Sequence, residues 1–163
     1  MVVNTTNLYS ESRNVLKTLI DANVIDPKIG SVNSRRRWIY RELPDTTSRD
    51  FQGYPIIVVL SPDASDNVQD LQDSLSDGRL SFAIEVYAEY NDVDARVDDL
   101  SSQIYGLFRK KANTESLAQN NLFRPRVTSS PFSNTDTDNK KLSGRVFIVE
   151  FDTTLEEDVY GNV

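Results

Sequence analysis

Strict alternation of apolar and polar residues over 80–90 is the feature that most constrains how this chain can fold. This period of two predicts a strand with one buried face. The apolar side of the run consists of Leu80, Phe82, Ile84, Val86, Ala88 and Tyr90. The run leads directly into residues 93–111, whose apolar residues recur at helical spacing and predict a helix that packs on the strand.

The remaining elements are predicted from the same signals. Residues 5–23 have an apolar stripe typical of a helix, and the runs at 35–43, 54–60, 122–129 and 144–153 favour strands. Polar residues predict a connector over 63–78, irregular structure over 112–121, an exposed loop over 129–143 and a mobile acidic tail over 155–163. No internal repeat is visible in the sequence.

These elements predict an α+β fold in a single domain spanning 1–163. We expect a mostly antiparallel sheet of four to five strands, with two main helices packed on one face. At 163 residues the chain can bury a sizeable core.

The composition argues against most kinds of catalysis. The chain has no cysteine and no histidine, which excludes thiol nucleophiles, Ser-His-Asp triads and most zinc sites. We therefore expect no enzyme, no metal and no cofactor, although a carboxylate-based enzyme stays an alternative. No apolar run reaches the length of about 18 residues that a membrane helix needs, so we expect no membrane partner.

Charge is unevenly distributed along the chain. The net charge is −7, which suits an ordinary acidic protein and leaves adaptation to high salt as an alternative. Residues 28–41 contain only basic charges, and the candidate contact residues in this run are Arg35, Arg36, Arg37 and Arg41. The acidic candidates follow at Asp63, Asp66, Asp70 and Asp73.

Three interpretations of the arginines stay open: a solvated surface, a contact between copies, and nucleic-acid binding. In the second, the basic patch of one copy meets the acidic patch of the next, and complementary charge fixes their register. The Asp-rich stretch is not an EF-hand loop, because Val68 and Ser74 stand where that loop requires glycine and glutamate.

The order of elements resembles the tail-terminator family of tailed viruses, also called tail completion or head–tail joining proteins. The resemblance is carried by ESRNVLKTLI at 11–20, YPIIVVL at 54–60, FAIEVYAEY at 82–90 with the helix over 93–108, and GRVFIVEF at 144–151. It covers nearly the whole chain through the order of its elements, and no single invariant motif carries it.

The resemblance implies a virion protein of the tail–neck region, assembled in the host cytoplasm and without enzymatic activity. Its copies would form a homo-oligomeric ring, usually a hexamer, that contacts the tail-tube protein on one side and neck or connector proteins on the other. Genome DNA would pass through the lumen without specific binding, because an acidic lumen does not retain phosphates. Another neck or tail-tube subunit is the alternative.

Under this resemblance the loop over 129–143 becomes a candidate assembly arm. A loop of this length in a compact domain is more often functional than incidental. Its candidate contact residues are Pro131, Phe132, Lys140 and Lys141.

Overall fold

A computed structural model describes residues 7–67, 75–89, 93–131, 133–137 and 140–156. Within these residues the chain forms three helices, α1 (Leu8–Asn23), α2 (Val93–Leu107) and α3 (Lys111–Gln119). The strands are β1 (Ile39–Tyr40), β2 (Ile56–Val59), β3 (Asp63–Asn67), β4 (Leu75–Glu89), β5 (Phe123–Ser129), β6 (Ser133–Thr137) and β7 (Lys140–Glu156). The predicted α+β class is confirmed.

All seven strands belong to one sheet, with the order β1-β2-β4-β7-β5 and with β3 paired to β4 and β6 paired to β7. Every pairing is antiparallel except that of β1 with β2. The mostly antiparallel sheet is confirmed, although it has seven strands and not the expected four to five. The two main helices are α1 and α2, and the shorter α3 was not predicted.

The centre of the sheet is the long pairing between β4 and β7. Their register runs without interruption from Leu75 opposite Glu156 to Glu89 opposite Leu142. Because neighbouring residues of a strand point to opposite faces, this register places the apolar residues of both strands on the same face. Phe82 lies opposite Val149 and Ile84 opposite Phe147, and all four side chains are buried.

Each long strand has two short partners that follow one another in the chain. β2 and β3 both pair with β4, while β5 and β6 both pair with β7. The chain therefore forms two bent hairpins that join through β4 and β7, each preceded by helical structure. The repetition lies in the order and pairing of the strands.

The structure differs from the loop predicted over 129–143. Residues 133–137 form β6, and β7 begins at Lys140, so Lys140 and Lys141 pair with Thr137 and Asp136 as part of a hairpin. A strand of polar residues at the margin of a sheet is held by backbone hydrogen bonds and has no apolar alternation to reveal it. Phe132 lies outside the described residues.

Three other segments are more regular than expected. The predicted connector over 63–78 contains β3 and the start of β4, and α3 occupies most of the segment predicted as irregular. β7 continues to Glu156, into the segment predicted as a mobile tail. By contrast, only Ile39–Tyr40 of the strand predicted over 35–43 pairs in the sheet.

One hydrophobic core joins the helices to the sheet. It contains the even-numbered apolar residues of β4 from Leu80 to Ala88, together with buried residues of all three helices. Val97, Leu100 and Ile104 of α2 belong to this core and are fully buried. Phe82 and Phe108 both meet Phe151 edge-on, with ring centroids 5.8 and 6.0 Å away.

The last strand of the sheet path, β5, is irregular in its first half. Arg124 has a φ of 50° and is followed by Pro125. The pairing with β7 shifts between Phe123 and Arg126. The break interrupts the backbone ladder at this edge.

Candidate functional site

The basic run does not form one surface, because Arg36 turns into the protein. Its guanidinium donates from Nε to Asp26 Oδ2 and from Nη2 to Asp26 Oδ1, both at 2.8 Å. Two further hydrogen bonds reach the carbonyl oxygens of Gly53 and Pro55, at 2.7 and 2.8 Å. The guanidinium also lies 5.6 Å from the ring centroid of Trp38. Arg36 is therefore a structural residue that holds the chain around β1 and β2, and it does not belong to an exposed patch.

Asp26 is fully buried and accepts hydrogen bonds from three parts of the chain. Besides Arg36, the backbone N–H of Lys28 and the hydroxyl of Ser34 donate to its carboxylate, both at 2.9 Å. Burial raises the pKa of Asp26, but these hydrogen bonds and the Arg36 charge outweigh it and bring the pKa below its usual value. The carboxylate therefore stays ionised and fixes the loop between α1 and β1.

This fixed loop carries a group of exposed apolar side chains. Ile25 is 45% exposed, Ile29 58% and Val32 39%. The backbone N–H of Ile25 also donates to Gln103 Oε1 on α2 at 2.8 Å. We call Ile25, Ile29 and Val32 the apolar loop patch. Sequence reasoning missed it because these residues follow no periodic pattern, although three branched apolar residues in a short loop were a visible signal.

The other arginines of the run are exposed. The Arg37 guanidinium lies 5.3 Å from the ring centroid of Tyr40, and Arg41 donates to the side chain of Asn14 on α1. Together with Lys17, Arg37 and Arg41 line a cavity of about 490 Å³ between α1 and the segment that follows β1. The same cavity is lined by Glu42, Asp45 and Asp50, so its charge is mixed.

The acidic candidates lie elsewhere. Asp63 opens β3 opposite Ser81 of β4 and is exposed, and Asp66 follows in the same strand opposite Gly78. Asp70 and Asp73 lie outside the described residues. Pro131, from the predicted assembly arm, is exposed. A contact between the exposed arginines and these aspartates of another copy stays a prediction.

The face of the sheet opposite the core carries a network of charges, which we call the charged face. Arg126 of β5 approaches Glu150 at 3.7 Å and Asp152 at 2.5 Å, and Arg124 approaches Asp152 at 3.9 Å. Ile148, next to them on β7, is 38% exposed. The hydrogen bond from Arg126 and the nearby arginine charges hold the pKa of Asp152 below its usual value, against a smaller effect of desolvation.

Glu85 and Tyr87 lie on the charged face, and a hydrogen bond joins their side chains. The Tyr87 hydroxyl donates to Glu85 Oε2 at 2.9 Å. Burial first, and then this carboxylate, raise the pKa of Tyr87 to about 12. The carboxylate of Glu85 thus binds a neighbour on its own strand.

A second cavity of about 730 Å³ lies where α3 meets the end of the sheet. Thr114 and Ala118 of α3 line one side, and Gly78, Phe123 and Thr153 contribute from three strands. Thr153 is 3% exposed, and its hydroxyl has no hydrogen-bond partner among the described residues. Arg79 and Arg124 also line this cavity, with Asp152. We call it the α3 cavity.

Neither a metal-binding cluster nor a membrane-spanning helix lies within the described residues. No group of three or more acidic side chains is placed to hold a metal ion in this part of the chain. None of the helices found there has the length and apolar character needed to cross a membrane.

The sequence matches no protein-family profile and no curated protein. Among solved structures, a similar chain comes from the virion of a native gene transfer agent particle. The two chains are 11% identical, the similarity covers 86% of this chain and 91% of that one, and the TM-score is 0.45. Similarity at this level does not support an argument about function.

Proposed function

We propose that this protein is a virion structural subunit that forms a ring at the head-proximal end of a tail tube. The ring would end polymerisation of the tube, join the tail to the neck or connector and let genome DNA pass through its lumen. One observation carries the proposal: the segments that resemble the tail-terminator family all fold into helices and strands of one core. Residues 11–20 lie in α1, 54–60 contain β2, 82–89 belong to β4 ahead of α2, and 144–151 lie in β7. These elements contribute to the same core.

The apolar loop patch supports a role in assembly. Exposed apolar side chains that are grouped and held in place favour contact with another protein, because their burial removes apolar surface from water. The hydrogen bonds to Asp26 fix this loop before any partner arrives, which reduces the entropy lost on binding.

The exposed arginines supply the charged part of the proposed contact. Arg35, Arg37 and Arg41 of one copy would face acidic residues of the next, including Asp63. Since the two patches differ, the contact is head-to-tail, and such a contact closes into a ring when the rotation between copies permits.

Negative-stain images and light scattering of the purified full chain test the proposal. Closed rings of uniform diameter, and binding of these rings to the ends of isolated tail tubes, are the expected results. Unlimited self-polymerisation into tubes would instead favour a tail-tube subunit. A protein that stays monomeric at every concentration and does not bind tube ends would contradict the proposal. Turnover on a panel of hydrolase substrates would also contradict it, since the proposal assigns no catalytic role.

Charge reversal separates the arginines by role. Changing Arg35, Arg37 and Arg41 together to Glu should weaken ring formation while leaving the fold intact, because all three side chains are exposed. The matched control is Arg109→Glu, because Arg109 is an exposed arginine after α2 that contacts Tyr105 of the same helix. Equal ring formation by the triple variant and the control would remove the arginines from the interface.

A further inference from the structure

The α3 cavity has the properties of a binding site for an acidic peptide segment. Its volume of about 730 Å³ lies within the range of about 300–1,000 Å³ typical of ligand pockets. A buried hydroxyl without a partner, that of Thr153, lines its wall. Leaving this buried hydroxyl unpaired is unfavourable.

The charges at the cavity favour an anionic ligand. Asp152 is engaged by Arg126, whose Nη2 lies 2.5 Å from Asp152 Oδ1. Arg124 lies farther from the same carboxylate, at 3.9 Å, and its side chain is 84% exposed. Arg79 is exposed as well. With Asp152 largely neutralised by Arg126, Arg79 and Arg124 leave the cavity with a positive balance.

The chain itself contains a segment with complementary chemistry. Residues 157–160 read Glu-Asp-Val-Tyr, which combines two carboxylates with an apolar and an aromatic side chain. The carboxylates suit Arg79 and Arg124, and the aromatic ring suits the apolar lining supplied by Phe123, Pro125 and Ala118.

The described part of β7 leads away from the cavity of its own subunit. Thr153 lies at the cavity, and β7 stays paired for three more residues, to Glu156 opposite Leu75. At about 3.4 Å per residue this carries the chain about 10 Å beyond Thr153.

We infer that residues 157–160 of one copy bind in the α3 cavity of a second copy, with Glu157 and Asp158 at Arg79 and Arg124. The inference rests on the proposed function, since it supplies a contact between copies. It is also specific in chemistry: the ligand is an acidic segment followed by an aromatic residue.

Engineered cysteines test this contact directly in the full chain, which has no cysteine of its own. An isotope-labelled Ala118→Cys variant is mixed with an unlabelled Tyr160→Cys variant under mild oxidation. Disulfide-linked dimers with one labelled and one unlabelled chain are the expected product, identified by mass spectrometry. The matched control replaces Ala118→Cys by Thr18→Cys, an exposed position on α1, and should cross-link at least tenfold more slowly.

Charge exchange then tests the assigned pairing. Arg79→Glu and Arg124→Glu together in the labelled chain should slow cross-linking about tenfold, and Glu157→Arg with Asp158→Arg in the other chain should restore it. Arg109→Glu in the labelled chain should have no effect. Restoration also excludes misfolding as the cause of the loss.

Two results would overturn the inference. One is a cross-linking rate no higher than that of the Thr18→Cys control. The other is an intramolecular disulfide as the main product when both cysteines are placed in one chain. If either result is found while rings still form, the inference fails and the proposed function stands. If the cross-link forms between copies but no rings are seen, the inference holds and the proposed function fails.

Discussion

Arg36 and Asp26 form a two-pronged ion pair in which each guanidinium–carboxylate hydrogen bond measures 2.8 Å. The side chain of Arg36 is 6% exposed and that of Asp26 is fully buried. Breaking such a pair by removing one partner leaves an uncompensated buried charge, which typically costs about 3–5 kcal/mol. The pair therefore determines whether the loop that carries the apolar patch keeps its shape.

We predict that Arg36→Met lowers the free energy of unfolding by about 3–5 kcal/mol. The neighbouring exposed residue provides the control, since Arg35→Met should change it by less than about 0.5 kcal/mol. Urea denaturation followed by circular dichroism measures both. Equal effects of the two substitutions would show that the Arg36–Asp26 pair does not hold the fold.

Stability should also depend on pH through Asp26. Its pKa in the folded protein lies below the ordinary value of 3.8, so its contribution is present above about pH 4 and is lost as the pH falls through the folded pKa. Ser34→Ala removes one hydrogen bond to the carboxylate and should cost about 1–3 kcal/mol at pH 7. The difference between the native chain and Ser34→Ala should shrink below pH 3.8. A difference that stays constant down to pH 2 would argue against this contribution.

Tyr87 should ionise later than an ordinary tyrosine, with a pKa of about 12. Glu85→Gln removes the neighbouring charge and should lower this pKa, while burial keeps it above the usual 10.0. Ultraviolet absorbance between pH 9 and 13 follows the titration, and Tyr87→Phe identifies the late step by deleting it. Since the folded pKa is raised, the stability linked to Tyr87 is present below pH 10 and is lost as the pH rises through 12.

Gly144 lies directly opposite Tyr87 in the β4–β7 pairing. A Cβ atom at this position would lie 2.9 Å from Tyr87 Cδ1 and 3.3 Å from the carbonyl oxygen of Val86. Gly144→Ala should therefore displace the Tyr87 ring and destabilise the protein by about 1–3 kcal/mol.

Gly106→Ala is the control for that substitution, and its expected effect on stability has the opposite sign. It lies in α2, and a Cβ atom there would meet nothing within 4 Å. Gly106→Ala should stabilise the helix by about 0.5–1 kcal/mol. Thermal denaturation of both variants measures the contrast, and a loss of stability at Gly106 with none at Gly144 would contradict the described packing.

The parts of the fold that could be predicted from the sequence are those with one strongly apolar face. β4 alternates and α2 has a continuous apolar seam, so both were identified, although β4 begins five residues before the predicted strand and α2 ends at Leu107, four residues before the predicted end. β3 and β6 could not be predicted, because their polar side chains show no pattern of burial. Backbone pairing with β4 and β7 makes these segments strands. α3 was missed because it buries only Asn113 and Leu117, too few residues to produce a helical pattern.

The candidate site was harder to predict than the fold. Arg35, Arg36 and Arg37 are chemically equivalent in the sequence, yet only Arg36 meets a buried carboxylate. That partner, Asp26, lies ten residues earlier, beyond a loop whose course no local pattern specifies. The α3 cavity depends on three strands and a helix that meet only in the folded chain, so no local motif could have revealed it.

The irregular first half of β5 limits how copies of this protein can join. Pro125 has no N–H to donate, and the left-handed backbone at Arg124 turns the strand out of register. A foreign strand therefore finds no continuous row of donors and acceptors on which to extend the sheet. At the other end of the sheet path, β1 offers only two residues. Growth of the sheet from one copy into the next is therefore disfavoured at both of these edges.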